Sequence, residues 1–424
     1  MRKMRDSGIA WIGVIPQDWE IVRTKSLYCS AKEIAGDRAD DFERLALTLN
    51  GVIKRSKEDS VGLQPEKFSG YQILKKGELV FKLIDLENVA TSRVGLSPYT
   101  GIVSPAYIVL SKQSRAKDLV VRYSMYHFLS MWQREIFNQM GDNGVRSSLN
   151  AKELLNIPHP FPSIYEQKRI VTFLDAQCAE IDAVLEKTRA SIEEYKKLKQ
   201  AVITQAVTKG IRGDRPMKDS GIEWIGDIPA EWDVIRVKQL LKERNERSKE
   251  GKEEPLSMSQ KAGLVPTKFL ESIPNMASSF VGAKLAYVDD LVFNKLKAHL
   301  GVFSVSRYDG LVSPDYAVYC STGKSNLKYL EYIFKTPQCI GEFRKKSTGI
   351  AAGLMRLYTE GLFSIYLPYP ALSEQEEIAE YLNEKCAGID ALIAKKQQYL
   401  TEIENYKKSL IYEYVTGKKE VHPL

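Results

Sequence analysis

The sequence lacks the features by which common secreted, metal-binding and membrane proteins are recognised. Its five cysteines are an odd number and none forms a Cys-x-x-Cys pair, which predicts reduced thiols in a cytoplasmic protein. The four histidines are scattered, so no zinc-binding spacing is present. No apolar run approaches the roughly 20 residues of a membrane-spanning helix. The basic and then apolar start is broken by Gly13 and Pro16, so we expect no signal peptide.

Motifs of nucleotide-using and hydrolytic enzymes are also missing. Residues 322–325 read TGKS, like the end of a phosphate-binding loop, but Val318 stands where the leading glycine is needed. The segments VSPAY (103–107) and VSPDY (312–316) partly match the proline–aromatic motif of adenine methyltransferases, but the second proline is absent. No glycine-rich nucleotide loop and no Ser-His-Asp or Cys-His arrangement stands out. We therefore expect a non-catalytic chain without metal or cofactor, in which each Ser-Pro forms a turn.

The composition is that of an ordinary globular protein. The chain has 424 residues, of which 44% are hydrophobic and 27% charged, enough for two or three domains with their own cores. The formal net charge of +7 is compatible with a polyanionic partner without requiring one. We expect no membrane partner.

The chain contains one sequence unit twice. SGIAWIGVIPQDW at 7–19 and SGIEWIGDIPAEW at 220–232 agree at nine of thirteen positions, with an offset of 213 residues. Further matches follow in the same order: LVF at 79–81 and 291–293, then the two VSP segments, then P-x-P followed by Glu-Gln. The offset falls steadily to 208, which indicates a tandem duplication with a few residues lost from the second copy.

Each copy ends in a pattern typical of a long helix. Ser163-x-x-Glu166 and Ser373-x-x-Glu376 match a capping box after a proline-rich stop. Beyond them, apolar positions alternate at spacings of four and three, and the mean of about 3.5 characterises a coiled-coil seam. The predicted seam residues are Leu174, Ile181, Leu185, Ile192, Leu382, Ile389, Ile393, Leu400, Ile403 and Leu410.

The two seams match in their polar positions as well. Lys199 and Lys407 occupy the same seam position, where a long stem can pack while the ammonium group reaches water. The simplest way to bury both seams is to pair the helices within the chain, antiparallel if an approximate two-fold axis relates the copies. Two alternatives are open: each helix packs on its own globular domain, or the seams recruit a second chain.

Short apolar segments bounded by turns predict strands in each globular domain, and residues 119–140 and 327–343 predict helices near its end. We predict a mixed α/β fold with two similar globular domains joined by two long antiparallel helices, which form an intramolecular, pseudo-two-fold coiled coil. The predicted segments are the first domain at 1–162, the first helix at 163–210, the linker and second domain at 211–372, and the second helix with a C-terminal tail at 373–424.

Basic residues beside the matched strands and in glycine-rich loops are candidates for contact with a polyanion. Arginine and lysine neutralise phosphates or bridge guanine O6 and N7, and glycine lets a backbone approach closely. For any single residue, a solvated surface position is the alternative. The candidates are Lys82, Arg93, Arg146, Lys295, Lys297, His299, Lys345, Lys346 and Arg356.

The SGIxWIGxIPxxW element occurs twice, each time opening a domain that ends in P-x-P, Glu-Gln and a long helix. In this order of elements, over nearly its whole length, the chain resembles the specificity subunit of type I restriction–modification systems. The resemblance implies two target-recognition domains that each read half of a split, asymmetric DNA sequence, with conserved helices that fix the spacing between the halves. The repeated element would then be an apolar anchor with largely buried tryptophans, namely Trp11, Trp19, Trp224 and Trp232.

The resemblance also implies partners. These are double-stranded DNA, two modification (methyltransferase) subunits that carry S-adenosylmethionine and methylate adenine, and two restriction subunits. The chain itself would supply no catalysis. The family reads bases with residues in variable segments, so no base-reading residue carries over to this sequence.

Two other functions remain as rivals. One is a coiled-coil protein scaffold that binds peptides and no DNA, and the other is a stand-alone methyltransferase with an unusual cofactor site. Salt-dependent binding to a bipartite duplex would favour the DNA-reading function, because phosphate contacts release counterions. Binding of S-adenosylmethionine by the isolated chain would favour the methyltransferase.

Overall fold

A computed structural model describes residues 2–49, 51–58, 67–84, 86, 93–140, 148–259, 262–270, 279–349 and 355–421. The chain divides into two compact units. Unit 1 comprises residues 1–189 and 398–424, and unit 2 comprises residues 190–397. Each unit therefore contains one globular domain and a stretch of both long helices, and the fold is mixed α/β as predicted.

The globular domain of unit 1 is built mainly from two four-stranded sheets. Its strands are β1 (Met4–Asp6), β2 (Val14–Pro16), β3 (Glu20–Arg23), β4 (Tyr28–Cys29), β5 (Arg44–Thr48), β6 (Gly51–Arg55), β7 (Gln72–Leu74), β8 (Leu79–Lys82), β9 (Arg93–Leu96), β10 (Gly101–Val103), β11 (Ile108–Lys112) and β12 (Pro158–Phe161). Its helices are α1 (Thr24–Leu27), α2 (Val121–Gln133) and α3 (Ala151–Asn156), followed by the long α4 (Ile164–Lys209). The sheet orders are β6-β5-β10-β7 and β4-β11-β8-β9, with β12-β3 and β1-β2 as separate pairs.

Strand β8 shows why this apolar segment forms a buried strand. Successive side chains of a strand point to opposite faces. Leu79 and Phe81 accordingly pack in one core with Leu110, while Val80 packs in a second core with Val109. The sheet thus separates two apolar layers, which is why the LVF run has no polar face.

Unit 2 repeats this plan with a different division of its sheets. Its strands are β13 (Met217–Asp219), β14 (Asp227–Pro229), β15 (Asp233–Arg236), β16 (Leu241–Arg244), β17 (Leu256–Ser259), β18 (Gly263–Pro266), β19 (Lys284–Ala286), β20 (Leu291–Asn294), β21 (Phe303–Val305), β22 (Gly310–Val312), β23 (Tyr316–Ser321) and β24 (Tyr366–Tyr369). Its helices are α5 (Leu327–Phe334), α6 (Pro337–Lys346), α7 (Thr359–Phe363) and the long α8 (Leu372–Val415). Strands β16-β23-β20-β21 form one sheet, and the others pair as β13-β14, β15-β24, β17-β18 and β19-β22.

The helix predicted over residues 327–343 is two helices. The chain breaks between α5 and α6 because Pro337 has no N–H to continue the first helix and is favoured in the first turn of the next. The side chain of Thr336 caps α6 by accepting a hydrogen bond from the Cys339 N–H at 3.3 Å.

The long helices begin differently from the predicted capping boxes. For α4, the Ser163 hydroxyl accepts a hydrogen bond from the Glu166 N–H at 3.3 Å, but the Glu166 carboxylate turns to a tryptophan instead of completing the box. For α8, the prediction of a Ser373 cap is wrong. This helix begins at Leu372, and Ala371, the residue aligned with Ser163, accepts its first-turn bond from Gln375.

The ten predicted seam residues are all buried or half-buried. In unit 1, Leu174, Ile181, Leu185 and Leu410 are buried in one core against which Leu400 and Ile403 also pack. In unit 2, Ile192 and Leu382 are buried, and Ile389 and Ile393 are half-buried. The core of unit 1 also contains Trp19 and Tyr123, so within this unit the helix segments pack on each other and on the globular domain together.

Candidate nucleic-acid interface

The repeated Trp-Gly-Ile-Pro-Trp element attaches the globular domain of unit 1 to the start of α4. Trp19 is 1% exposed, and its Nε1–H donates to Glu166 Oε2 at 2.9 Å. The Arg2 guanidinium pairs with the same carboxylate and lies 5.7 Å from the centroid of the Trp19 ring. Arg2 also pairs with Asp18 at 2.6 Å, which lowers the pKa of that carboxyl group. The contacts are charge-assisted and suited to a structural role.

Unit 2 contains the same arrangement at the aligned positions. Trp232 is 1% exposed and its Nε1–H donates to Glu374 Oε2 at 2.9 Å. Arg215 pairs with Glu374 at 2.7 Å and with Glu231 at 2.9 Å, and lies 5.1 Å from the Trp232 ring centroid. We call the arginine, tryptophan and glutamate of each unit its anchor. Trp11 and Trp224 differ from expectation, because they are only half-buried at the edge of their cores.

The glutamine of each Glu-Gln pair fixes the loop that precedes a domain helix. Gln167 accepts a hydrogen bond from the Val120 N–H at 2.8 Å, and Gln375 accepts one from the Asn326 N–H at 3.0 Å. Each side chain also donates to the carbonyl oxygen five residues earlier in the chain, at 2.9 and 3.0 Å. Both glutamines are fully buried, so all their contacts are internal to the unit.

Each globular domain also holds the end of the other long helix. In unit 1, the Tyr123 hydroxyl donates to the Val415 carbonyl at the end of α8, at 2.9 Å. In unit 2, the aligned Tyr329 hydroxyl donates to the Val207 carbonyl in the last turn of α4, at 3.3 Å. The next residue beyond that turn is Gly210, at φ +75°, and a Cβ there would lie 3.2 Å from Trp232. The left-handed backbone therefore favours glycine, and a Cβ would also overlap the Arg215 guanidinium of the anchor.

Ion pairs between α4 and α8 join rising residue numbers in α4 to falling residue numbers in α8. In unit 1, Asp182 pairs with Lys407 at 2.6 Å and Arg189 with Glu404 at 2.5 Å. In unit 2, Lys199 pairs with Asp390 at 2.6 Å. Both seam lysines thus bind an aspartate of the opposite helix, and within unit 1 the segments are antiparallel.

The candidates of unit 1 lie on a strand pair. Lys82 and Arg93 are directly opposite each other in the β8–β9 ladder and are half-buried. The Arg93 guanidinium lies 5.8 Å from the Trp132 ring centroid, and burial lowers the pKa of Arg93. Arg146 lies outside the described residues.

The structure brings two candidates of unit 2 together. Arg356 pairs with Asp315 at 3.4 Å, and the Leu357 N–H bonds to the Lys295 carbonyl at 3.0 Å. The Lys295 ammonium donates to the Pro314 carbonyl at 3.1 Å. Burial is the main cause that lowers the pKa of Lys295, and nearby cations add to it. A partly desolvated amine held by a carbonyl is suited to accept an anionic group.

The remaining candidates of unit 2 lie apart from that cluster. Lys297 is exposed, whereas His299 is 9% exposed and its Nδ1 has no hydrogen-bond partner among the described residues. Lys345 and Lys346 are exposed at the end of α6, where Lys345 pairs with Glu342 at 2.7 Å. These four residues remain predicted contacts.

Sequence reasoning missed Lys284, which belongs to the Lys295 cluster. Its side chain is 8% exposed and pairs with Glu243 at 3.4 Å, and Glu243 also accepts a hydrogen bond from Thr359 at 2.7 Å. The available signal was a lysine within an apolar strand, since a buried lysine needs a partner. We call Lys284, Lys295, Arg356, Glu243 and Asp315 the unit 2 cluster.

The Ser-Pro segments form turns, as predicted. Tyr107 N–H bonds to the Ser104 carbonyl at 3.1 Å, and Tyr316 N–H bonds to the Ser313 carbonyl at 2.9 Å. Within the described part of the chain, no group of three His, Cys, Asp or Glu side chains could hold a metal ion. No helix in that part is both long and apolar enough to cross a membrane.

Comparison with known proteins shows what the chain is similar to. No family model matches the sequence. Over 97% of its length, the chain is 23% identical to the type I restriction enzyme MjaVIII specificity subunit of Methanocaldococcus jannaschii, 95% of which is covered. It is 25% identical, again over 97% of its length, to the putative type I restriction enzyme MjaX specificity subunit of the same organism, 96% of which is covered.

The fold is also shared with a solved structure from work on complex assembly and conformational transition of the type I R-M system. The TM-score is 0.70 at 13% identity, covering 96% of this chain and 99% of that one. The two copies of the anchor occur at matching places in a sequence that aligns with its relatives over nearly their full length. Over nearly its whole length the chain is therefore similar to specificity subunits of type I restriction enzymes, and it shares its fold with a solved structure.

Proposed function

We propose that this chain recognises a bipartite, asymmetric DNA target and positions methyltransferase and restriction subunits on it. In a type I restriction–modification enzyme, the specificity subunit is the non-catalytic component. The chain therefore recognises DNA and does not modify or cut it. The domains at residues 1–162 and 211–372 each read one half of the target. The helix segments at 163–210 and 373–424 pair antiparallel, relate the two domains by an approximate two-fold axis and carry the partner subunits.

The strongest support for this proposal is that the two units share the same anchor but differ in the polar side chains of their globular domains. The anchors of the two units agree residue by residue. In contrast, Lys284 of the unit 2 cluster aligns with Gln72, which donates to the Ser104 and Tyr107 carbonyls at 2.9 and 2.7 Å. Two domains that read different half-sites need the same anchor but different side chains for contact with DNA.

The charge of the unit 2 cluster supports contact with DNA. Three cations, of Lys284, Lys295 and Arg356, face the two carboxylates of Glu243 and Asp315. The Lys295 ammonium bonds to a carbonyl oxygen, so a phosphate or a guanine edge can add to its contacts without breaking an ion pair.

The proposal is tested by mapping adenine methylation in cells with and without this chain, and then by measuring binding to the motif that disappears. We expect a split motif, and an affinity of the purified chain with its methyltransferase subunits that falls steeply with salt. If no methylated motif disappears and the chain assembles with its partners independently of DNA, the protein-scaffold function would be supported instead. Binding of S-adenosylmethionine by this chain alone would support the methyltransferase.

The contribution of the unit 2 cluster is tested with Lys295→Gln and Arg356→Gln. We expect each to weaken target binding by about tenfold, as for loss of a direct base or phosphate contact. Lys395→Gln, at an exposed position of α8, is the matched control and should leave affinity unchanged. Equal affinity in all three variants would remove the cluster from the interface.

A further inference from the structure

Unit 2 contains a polar cleft that the DNA-reading function does not use. It has a volume of about 380 Å³ and lies between the α5 helix, the segments of α4 and α8 in this unit, and strands β18 and β21. Ligand sites are commonly of this size or larger, with an apolar floor and a few polar groups. Here the floor includes Ile203, Leu264 and Phe303.

The rim of the cleft has more positive than negative groups. Four cations line it, of Lys199, Arg307, Lys328 and Lys335, against two carboxylates, of Glu331 and Asp390. Lys199 and Asp390 bind each other at 2.6 Å. The excess positive charge is therefore on the α5 side and at Arg307.

Lys328 of α5 and Lys335, the residue directly after α5, share a single carboxylate. Glu331 is 7% exposed and binds Lys335 at 2.5 Å and Lys328 at 3.1 Å. Burial alone would raise the pKa of Glu331, but the two ammonium groups outweigh burial and lower it. One buried carboxylate thus holds two ammonium groups at the wall of the cleft and neutralises only one of them.

The aligned wall of unit 1 has one cation in place of two, because Arg122 aligns with Lys328 and pairs with Asp175 at 2.6 Å. Met125 and Leu129 occupy the positions aligned with Glu331 and Lys335, and both pack against the core of that unit. On the opposite side of the cleft, the backbone of Gly263 packs closely on Ser304. A Cβ at Gly263 would lie 2.5 Å from the Ser304 hydroxyl. The pair formed by Glu331 and Lys335 is therefore a feature of the second copy and is not needed for the shared fold.

We propose that this cleft binds a small phosphate-bearing molecule, with the Lys328 and Lys335 ammonium groups and the Arg307 guanidinium as its phosphate ligands. Ammonium and guanidinium groups make charge-assisted hydrogen bonds to phosphate oxygens. The apolar floor accommodates the remainder of the molecule. The ligand binds against segments of α4 and α8 as well as the globular domain, so it stabilises their packing within unit 2.

The test is calorimetric titration of the intact chain with inorganic pyrophosphate. We expect one site, about tenfold weaker binding in Lys335→Gln, and unchanged binding in Lys395→Gln, whose exposed lysine on α8 lies outside the cleft. Glu331→Gln should bind about tenfold more tightly, because it removes the carboxylate that competes for both lysines. A merely structural role for Glu331 predicts weaker or equal binding instead.

The source of the phosphate is distinguished by two further arms. Lys295→Gln should keep pyrophosphate binding, and Lys335→Gln should keep DNA binding. Competition between a target duplex and pyrophosphate for the Lys335-dependent site would overturn the small-molecule proposal. Absence of binding heat, or equal weakening in Lys335→Gln and Lys395→Gln, would overturn it as well.

Discussion

Next to its anchor, unit 1 buries three polar side chains, those of Ser124, His127 and His159. Unit 2 buries three aliphatic side chains at the aligned positions, those of Leu330, Ile333 and Leu367. The anchor is the same in both units, so it forms beside a polar interior as well as beside an aliphatic one. Most buried polar atoms in a folded protein have hydrogen-bond partners.

In unit 1, neutral imidazole finds partners for both ring nitrogens of His159, whereas His127 Nε2 has no hydrogen-bond partner among the described residues. His159 Nδ1 lies 2.7 Å from the Pro160 carbonyl, which can only accept, so Nδ1 carries the proton. His159 Nε2, 2.9 Å from the Ser124 hydroxyl, then accepts from it. Burial lowers the pKa of His159 to about 4. Burial and the neighbouring His159 also place the pKa of His127 well below its usual range.

The largest effect is expected from breaking the feature that the units share. Trp19→Ala and Trp232→Ala should each cost about 3–5 kcal/mol, because each leaves a cavity and removes a partner from a glutamate. The cost should be larger in unit 2, where the Glu374 side chain is 8% exposed against 19% for Glu166. Hydrogen exchange of amides in each unit measures this cost.

The half-buried Trp224 provides the control for this experiment, and Trp224→Ala should cost less than Trp232→Ala. Protection that falls equally in both units, whichever tryptophan is replaced, would mean that the anchors do not act within their own units.

An intermediate effect is expected from acid, which should destabilise unit 1 more than unit 2. The folded pKa of each buried histidine is below the unfolded value of about 6.5, so the unfolded chain binds more protons as pH falls. The histidine contribution to stability is fully present above about pH 6.5 and is lost towards pH 4. The loss is on the order of 1.4 kcal/mol per pH unit for each histidine. Exchange protection measured from pH 7 to 4.5 should fall more in unit 1.

A variant that copies unit 2 into unit 1 sharpens this prediction. Ser124→Leu/His127→Ile/His159→Leu should flatten the pH dependence of unit 1 without changing that of unit 2. A slope unchanged by the triple replacement would assign the acid sensitivity to other groups.

The smallest effect is expected at the seam lysines, where the units should behave alike. The Asp182–Lys407 and Asp390–Lys199 pairs have aspartates that are 59% and 57% exposed. Exposed pairs contribute about 0.2–1 kcal/mol and are weakened by salt. Double-mutant cycles with Lys→Gln and Asp→Asn should give similar coupling for both pairs. A coupling absent from one pair would show that the helices are not equivalent in the two units.

Much of the architecture could be predicted from local patterns. The offsets between matched segments revealed the duplication, and the spacing of apolar residues located both long helices, because burial along a helix requires that period. The break at Pro337 and the helix start at Leu372 were missed. The capping motif at Ser373 lies inside the first turn of α8, which begins at Leu372.

The candidate site was less predictable. A basic residue beside a strand can be recognised, but its partners cannot, so Lys295 and Arg356 appeared as separate candidates and Lys284 not at all. The same holds for Glu331, whose two lysine partners lie within four residues of it in sequence, but whose cleft is formed by strands and helices distant in sequence.

The sequence by itself determined that the chain is a duplicated α/β protein with two long helices, since these features follow from repetition and periodicity. Only the tertiary structure decided what holds each domain. Glu166 binds Trp19 and Arg2 in unit 1, and the end of α8 returns to the same domain, where Lys418 donates to the Ile12 carbonyl at 2.6 Å. Such contacts join residues hundreds of positions apart, and no local pattern specifies them because they depend on how the packed elements meet.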